Sequence, residues 1–279
     1  MTVVMGIVNV TPDSFSDGGR YAQTDAAIAH GLQLVAGGAD IVDVGGESTR
    51  PGSERVTAAV EQERVLPVVA ALAAAGVVVS IDTMNADTAA AAVAAGARIV
   101  NDVSGGLADD ALFAAVAVTD AELVIGHWRG HSTDMYAGAH YADVAGEVVA
   151  ELRARVAAAR AAGIPTERIV VDPGIGFGKR GDQNWQVLSR LPELVALGPR
   201  VLVGTSRKRF LLEALDGLET LEPADAAGHE DDQRRRDLAT AVTSVLAAQA
   251  GAWAVRVHDV AATRDALRVA RAWQEGVAS

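Results

Sequence analysis

The first apolar run of the chain and the polar segment after it indicate both the fold and the place of its chemistry. Residues 3–19 read VVMGIVNVTPDSFSDGG, so an apolar run rich in valine leads into a polar segment that ends in two glycines. Barrel enzymes place their chemistry on such loops, at the carboxyl ends of their strands. The sequence therefore predicts a strand over Val3–Val8 and an active-site loop after it.

The same arrangement recurs through the chain. Apolar runs meet polar residues again at 43–52 (DVGGESTRPG), 80–83 (SIDT), 100–102 (VND), 171–174 (VDPG) and 256–259 (RVHD). Alternation of β-branched runs with alanine-rich segments predicts strands at 3–8, 41–44, 77–81, 99–100, 123–125, 169–171, 201–203 and 254–257. Helices are predicted at 25–36, 57–75, 86–95, 110–118, 143–162, 184–196, 207–215, 237–250 and 262–273. Eight βα repeats predict an α/β fold, a (β/α)₈ TIM barrel, with a doubly wound sheet as the alternative.

Composition limits the possible functions. The chain has 279 residues, half of them hydrophobic, and no Pro/Ser-rich linker, which favours one domain over residues 1–279 rather than two small ones. A net charge of −12 argues against general binding to nucleic acid or anionic membranes. The absence of cysteine excludes disulfides and thiol catalysis. Without a signal segment or a long apolar run, we expect a cytoplasmic protein that acts on small molecules.

Two segments depart from the βα rhythm, residues 129–141 after the fifth predicted strand and residues 217–236 after the seventh. Residues 217–236 are acidic and then basic, and long connections in compact domains are either functional or mobile. We interpret this segment as a mobile insertion whose charged end, 230–236, is a solvated surface.

The eighth predicted strand carries a candidate phosphate site. Alternation places Arg256 and His258 on one side of the strand, near the region where barrels commonly hold phosphate. A guanidinium fork and an imidazole suit the oxygens of a diphosphate. The alternative is an ion pair between Arg256 and Asp259 at the strand end.

The seventh predicted strand leads into three consecutive cations. Ser206 is a candidate N-cap, but Arg207, Lys208 and Arg209 in a first helical turn would oppose the helix dipole. A bound anion would relieve that conflict. Alternatively, the ammonium of Lys208 could lie over the face of a flat heterocycle.

Carboxylate and amide side chains end three other strands. Asp82, Asn101 and Asp172 together suit a ring rich in N–H and C=O groups, and Asp172 could make a two-point contact with a guanidine-like edge. For Asp43 and Asp102 we expect a structural role, capping the helix that follows.

The first loop offers a metal ligand and acidic groups. The amide oxygen of Asn9 could ligate Mg²⁺ shared with a phosphate. Asp13 and Asp17 lie in a loop that could close over the site and place negative charge near a developing cation. Other chemistries fit poorly, because the six histidines form no His-x-His pair, aromatic sugar platforms are scarce, and no GxGxxG phosphate loop is present.

Taken together, these motifs resemble dihydropteroate synthases of the folate pathway. The resemblance covers nearly the whole chain in order, at 9–19, 45–52, 80–83, 101–102, 172–179, 204–208 and 256–260. It implies a barrel transferase that joins p-aminobenzoate to 6-hydroxymethyl-7,8-dihydropterin diphosphate by dissociative substitution and releases pyrophosphate. It further implies Mg²⁺ as cofactor and a homodimer.

The resemblance also implies residue roles. Asp82, Asn101, Asp172 and Lys208 would bind the pterin, and Asn9 would ligate Mg²⁺. Arg256, His258 and Thr49 would hold the diphosphate, while Asp17 and Asp82 would stabilise the pterin methylene cation. The residues implied to build the p-aminobenzoate pocket are Phe15, Asp17, Thr49, Arg50 and Pro51, with Ser206 receiving its carboxylate.

One departure from the family pattern leaves other functions open. Gly126 stands where the family usually has a methionine before His127, so an apolar side chain expected near the pterin is absent. If that space is not refilled, pterin affinity should fall, and a catalytically silent pterin-binding relative remains an alternative. A related barrel that transfers methyl groups to a corrinoid partner would not need the Arg256 and His258 site.

Overall fold

The structure, a computed structural model, describes residues 1–11, 20–47, 56–130, 139–215 and 226–276. In it, eight parallel strands close in sequence order into a barrel. They are β1 Val3–Asn9, β2 Ile41–Gly45, β3 Val79–Asp82, β4 Ile99–Asp102, β5 Glu122–Gly126, β6 Ile169–Asp172, β7 Arg200–Val203 and β8 Ala254–Val257. Pairing of β8 with β1 aligns Val3 with Ala254 and Gly6 with Val257, which closes the sheet. The predicted (β/α)₈ barrel is confirmed, and the doubly wound alternative is wrong because that sheet is open.

Helices surround the barrel. They are α1 Arg20–Ala36, α2 Ala58–Ala74, α3 Ala86–Ala94, α4 Leu112–Ala117, α5 Val144–Ala161, α6 Asp182–Ser189, α7 Leu191–Val195, α8 Arg209–Leu215, α9 Ala226–Gln249 and α10 Val260–Glu275. The side chains of Thr57, Asp143 and Asp259 cap α2, α5 and α10 by accepting backbone N–H groups. Among the helices of the described residues, none combines the length and apolar character that crossing a membrane requires.

Three predicted helices differ from the observed ones by more than two residues at a boundary or by a break. The helix predicted from Asp25 begins at Arg20. The predicted helix over 184–196 is divided into α6 and α7, with Pro192 in the first turn of α7. The helix predicted from Asp237 begins at Ala226, so residues 226–236 of the predicted insertion are helical. Residues 217–225 of that insertion are outside the described part, and its mobility stays a prediction.

The strand alternation places a polar layer on top of an apolar one inside the barrel. A small cluster fills the barrel below its mouth, formed by Met5, Ile41, Ile99, Val124, Val170, Leu202 and Ala254. A larger cluster joins the outer faces of the strands to the helices. Side chains two residues apart share a strand face, so Asp43, Asn101, Asp172 and Arg256 follow Ile41, Ile99, Val170 and Ala254 on the inner face. The fold therefore gathers polar side chains from distant segments at the carboxyl ends of the strands.

Candidate active site

Arg256 is at the centre of the inner polar layer. Its Nε atom donates to Asp43 Oδ2 at 2.6 Å, and its Nη2 atom donates to Asp82 Oδ2 at 2.6 Å. Asp43 is fully buried and Asp82 nearly so. Buried carboxylates require a paired cation, and this guanidinium supplies one to both. The two ion pairs fix the plane of the guanidinium and do not use its Nη1 group.

The buried position of this layer changes the protonation of its members. Burial raises the pKa of Asp82 to about 7, against the opposing effect of Arg256, while the charge of Asp43 adds to the rise. Burial alone would lower the pKa of Arg256, but Asp43 and Asp82 hold it above its ordinary value. The protonation of a carboxyl that titrates near neutral pH changes when a charge appears beside it, and a positive charge favours the ionised form.

Asp43 does not cap a helix, so its predicted structural role is wrong. It lies within β2, and its Oδ2 atom accepts from Asn101 Nδ2 at 3.0 Å as well as from Arg256. That contact sets the orientation of the Asn101 amide. Asp102 is structural, as expected, but it caps a turn, because its carboxylate accepts the N–H groups of Ser104 and Gly106 and α4 begins only at Leu112.

Asp172 and Lys208 form the other side of the mouth. Asp172 ends β6, and its Oδ1 atom accepts the N–H of Gly174 at 2.6 Å. Burial raises the pKa of Asp172, and the charge of Lys208 opposes that rise. Burial lowers the pKa of Lys208 to about 8, with Asp172 as the largest opposing charge.

Lys208 lies along the loop that follows β6. Its Nζ atom donates to the carbonyl oxygen of Ile175 and is 4.6 Å from the centre of the Phe177 ring. The stem of Lys208 packs so closely on Gly176 that a Cβ added there would be 2.9 Å from Lys208 Cδ. The ammonium is thus held near the barrel mouth with a flat side chain next to it.

Ser206 holds His258 rather than beginning a helix. Its Oγ atom accepts the backbone N–H of His258 at 3.0 Å and lies 2.9 Å from His258 Nδ1. The predicted N-cap is wrong because α8 begins at Arg209, three residues later. The expected conflict of three cations with a helix dipole does not arise, since Arg207 pairs with Asp237 and Arg209 pairs with Glu213.

The alternative ion pair at the end of β8 is also wrong. Asp259 is the N-cap of α10 and accepts the N–H of Ala262 at 3.0 Å, while Arg256 points to Asp43 and Asp82. Alternation explains the difference, because Arg256 faces the barrel interior and Asp259 follows the strand.

Asn9 ends β1 beside Gly45 of β2 and is partly exposed at the mouth. Within the described ranges, no group of three or more His, Asp or Glu side chains could hold a metal ion. A single amide oxygen suits Mg²⁺ that keeps most of its water and binds to phosphate, which is common for this ion. The donor set therefore fits a metal shared with a ligand better than a metal caged by protein.

A buried network below the β6 loop was missed in the sequence. Lys179 is almost fully buried, and its ammonium donates to Gly174 O and His127 Nδ1 at 2.9 Å and to Phe177 O at 3.1 Å. His127 Nε2 is 2.9 Å from Glu151 Oε2. Burial and then Lys179 lower the pKa of His127 to about 4, so the ring is neutral. Burial lowers the pKa of Lys179 to about 7. Lys179 thus supports, from inside, the loop that carries the contacts of Lys208.

The space beside Gly126 is filled. A Cβ at Gly126 would lie 2.5 Å from the carbonyl oxygen of Val103 and 2.7 Å from its carbonyl carbon. The backbone after β4 therefore occupies the place that a larger residue would require. The expected effect of Gly126 on pterin affinity stays a prediction.

Six predicted loop residues lie outside the described part of the chain. They are Asp13, Phe15, Asp17, Thr49, Arg50 and Pro51. Their roles over the site stay predictions. The described residues that were predicted to act together do surround one mouth, where Arg256 contacts Asp82, Asp43 joins Arg256 to Asn101, and Ser206 contacts His258.

Comparison with known proteins agrees with this geometry. A family described as "Pterin binding enzyme" matches residues 5–258. The chain is 54% identical to dihydropteroate synthase of Mycobacterium leprae over 271 residues, which are 97% of this chain and 93% of that protein.

Solved structures give the same result. The dihydropteroate synthase of Xanthomonas albilineans with 4-aminobenzoic acid has a TM-score of 0.87 and 46% identity, covering 98% of this chain and 93% of that one. The same enzyme in complex with 7,8-dihydropteroate has a TM-score of 0.83 and 43% identity, covering 98% and 94%. Because the family model and these relatives match nearly the whole chain, the chain belongs to the dihydropteroate synthase family of pterin-binding enzymes.

Proposed function

We propose that the barrel mouth of this chain binds both substrates of dihydropteroate synthesis. Residues at the ends of different strands would contact the pterin, the diphosphate and the cation that forms during the reaction. The reaction joins 6-hydroxymethyl-7,8-dihydropterin diphosphate to p-aminobenzoate and gives 7,8-dihydropteroate and pyrophosphate. The observation that carries the proposal is the inner polar layer, in which Arg256 is held between Asp43 and Asp82 next to Asn101. This layer offers acceptors for a pterin and a cation for a diphosphate within one mouth.

The pterin ring would be recognised by acceptors of fixed orientation. Asp172 has two carboxylate oxygens for the 2-amino group and ring N–H, and the N–H of Gly174 holds the carboxylate in place. Asn101 donates to Asp43, which leaves its amide oxygen as an acceptor. The ammonium of Lys208 would lie over the ring face, beside Phe177.

The diphosphate would be held by Arg256 and His258. The Nη1 group of Arg256 is not used by its two ion pairs, and their carboxylates keep the guanidinium aligned. Because Ser206 Oγ already accepts the backbone N–H of His258, its own hydrogen can be donated to Nδ1. That tautomer carries its proton on Nε2, a donor suited to an anionic oxygen. Both groups would stabilise charge on the leaving diphosphate.

Magnesium would bind through Asn9 and the diphosphate itself. Mg²⁺ usually takes few protein ligands and retains waters, which agrees with one amide oxygen at the end of β1. When bound, the ion would neutralise part of the charge on the diphosphate. We expect Asn9→Ala to raise the Mg²⁺ concentration that gives half-maximal activity, without a change in melting temperature.

The cation formed when diphosphate leaves would be stabilised by Asp82, with help from Asp17. The pKa of Asp82, about 7 in the buried layer, falls when positive charge appears next to it, so its carboxylate becomes more favourable as the bond breaks. The neutral aryl amine then attacks the methylene carbon and loses a proton. An amine is nucleophilic without a strong base, so a covalent enzyme nucleophile is unnecessary.

The p-aminobenzoate pocket follows from the family resemblance. We propose that Phe15, Thr49, Arg50 and Pro51 of the first two loops enclose it, and that Thr49 also assists the diphosphate. For Ser206 we retain the contact with the p-aminobenzoate carboxylate as a prediction, although both of its described hydrogen bonds go to His258.

Site variants test the division of labour. Asp172→Asn should lower kcat/KM for pterin diphosphate by about 100-fold or more, since a two-point charged contact is worth several kcal/mol. Asp182→Asn, the same change at an exposed residue of α6, is the matched control and should keep wild-type kinetics. Substantial activity in Asp172→Asn, with both proteins folded, would contradict the site assignment.

We also propose that the chain forms a homodimer through its last two helices. Leu238, Val242 and Leu246 are exposed at four-residue spacing on α9, and Val269 and Trp273 are exposed on α10. Side chains four apart form a continuous helical stripe, and apolar stripes of this kind mark interfaces. Light scattering should give twice the chain mass for wild type and a smaller mass for Leu246→Glu. A monomeric wild type would contradict it. A cytoplasmic location stays a prediction that cell fractionation would test.

A further inference from the structure

Arg207 has an unusual backbone conformation between two proposed site residues. Its φ angle is 57°, and no other residue besides glycine in the described ranges has a positive φ. This left-handed conformation is unfavourable for a residue with a Cβ atom, so a residue keeps it only where surrounding contacts hold it. Because Ser206 and Lys208 flank Arg207, whatever holds it also sets the direction of both neighbours.

One helix, α9, holds Arg207 through its side chain and through both of its backbone polar groups. Its Nε atom donates to Asp237 Oδ1 at 2.7 Å and its Nη2 atom donates to Asp237 Oδ2 at 2.9 Å. The backbone N–H of Arg207 donates to Thr240 Oγ1 at 3.1 Å, and its carbonyl accepts from Arg236 Nη1 at 3.3 Å. The side-chain contact is a bidentate pair, the geometry that gives most directional control.

A second contact joins the same helix face to the same loop. Thr205 Oγ1 is 2.8 Å from Thr243 Oγ1, and both side chains are buried. Asp237, Thr240 and Thr243 follow one another at three-residue spacing, so they lie on one side of α9. The loop over 205–207 is therefore fastened to α9 at two successive points.

We propose that Asp237 is a positioning residue for the substrate loop. This inference rests on the proposed function, in which Lys208 contacts the pterin and Ser206 sets the tautomer of His258. Asp237 touches neither substrate. It acts through Arg207 by holding the strained turn that aims Lys208 at the barrel mouth and Ser206 at His258.

The ion pair is sheltered enough to have this effect. The exposed fraction of the Asp237 side chain is 14%, and that of Arg207 is 30%. A longer and more exposed pair on the same helix provides a matched control. Asp232 and Arg235 of α9 lie 3.9 Å apart at i,i+3 spacing, with 32% and 41% of their side chains exposed. Asp232→Ala removes the same charge from the same helix without loosening the loop.

The test compares Asp237→Ala, Arg207→Ala and the double variant with Asp232→Ala. Binding of 6-hydroxymethyl-7,8-dihydropterin diphosphate is measured by calorimetry, together with steady-state kinetics and melting temperature. We expect Asp237→Ala to raise the Kd and KM for pterin diphosphate by about 10- to 100-fold, with kcat changed less than about threefold. The double variant should be no worse than Arg207→Ala, because Asp237 acts through Arg207.

The outcomes separate this proposal from the proposed function. Wild-type affinity in Asp237→Ala, additive losses in the double variant, or an equal loss in Asp232→Ala would overturn the positioning role. So would a loss that disappears once the folded fraction is taken into account. If wild type binds pterin diphosphate but forms no dihydropteroate, the proposed function fails, and the binding data still decide the role of Asp237.

Discussion

Substitution of Gly126 by alanine tests whether the barrel mouth is as closely packed as the structure indicates. The added Cβ would lie 2.5 Å from Val103 O and 2.7 Å from Val103 C and Cα. Ordinary contact would require at least 3.4 Å, so the backbone at Val103 would have to move by roughly 0.7 to 0.9 Å. Backbone cannot rotate away as a side chain can.

The size of the effect follows from the rigidity of the neighbouring turn. Asp102 ties the N–H groups of Ser104 and Gly106 to its carboxylate, so Val103 cannot shift alone. Overpacking of this kind costs about 1–3 kcal/mol. For a domain of this size we expect a melting temperature lower by roughly 3–10 °C. Since Val103 is two residues from Asn101, the KM for pterin diphosphate should also rise.

Gly204→Ala is the matched control for this experiment. Gly204 lies on the same inner layer, but a Cβ there would be 3.7 Å from Arg256 Cβ and 3.9 Å from Asp172 Oδ2, which are ordinary contacts. Thermal unfolding followed by circular dichroism should therefore show a clear loss for Gly126→Ala and little change for Gly204→Ala. Equal melting temperatures for Gly126→Ala and wild type would refute the steric reasoning.

Three further predictions concern the buried charges. Lys179→Met should lower the free energy of unfolding by about 3 kcal/mol, because three acceptors lose their donor. The pKa of Lys179 is about 7 in the folded protein and 10.5 in the unfolded chain, so between these values the unfolded chain binds more protons. The free energy of unfolding of wild type, measured by urea titration, should therefore rise from pH 7 to pH 10, and that of Lys179→Met should lack this rise. Arg256→Ala leaves Asp43 and Asp82 without their cation and should cost about 3–5 kcal/mol at pH 8, and less at pH 6 where Asp82 is protonated; equal losses at both pH values would contradict this. In kinetics, kcat/KM for pterin diphosphate should fall above about pH 8 as Lys208 loses its proton, and Lys208→Arg should remove that fall even if its maximum is lower.

Local patterns were sufficient to predict the strands and to predict which polar strand ends lie at the barrel mouth. Each predicted strand is present with bounds within two residues. Short runs of β-branched residues that end in polar groups are typical of buried parallel strands. The same alternation placed Arg256 on the inner face. Asp82, Asn101 and Asp172 could be grouped because parallel strands end on one side of a barrel.

Contacts between distant segments could not be predicted. Asp43 was interpreted as a helix cap because its ion pair with Arg256 spans 213 residues, a relation that periodicity does not contain. Lys179 gave no local sign of burial, since lysine is usually exposed and only the folded loop supplies its three acceptors. The hydrogen bonds that hold Arg207 come from α9. The first eleven residues of this helix, Ala226 to Arg236, have the charged composition of a loop.

The interpretation of Gly126 shows a third kind of limit. The departure of Gly126 from the family pattern stays an interpretation of the sequence, and its consequence depends on the neighbours of that position. Here the backbone of Val103 lies where a Cβ at position 126 would be, so a larger residue requires that backbone to move. A substitution at one position therefore shows where the chain differs from its family without showing whether ligand affinity rises or falls.

The most direct test of the central claim is product formation by the purified chain. Pterin diphosphate, p-aminobenzoate and Mg²⁺ are supplied together and with each omitted in turn, and 7,8-dihydropteroate and pyrophosphate are both quantified. We predict equal amounts of the two products when all three are present, and dihydropteroate only when both substrates are present. Tight binding of pterin diphosphate without dihydropteroate would contradict the account and indicate a pterin-binding protein without synthase activity.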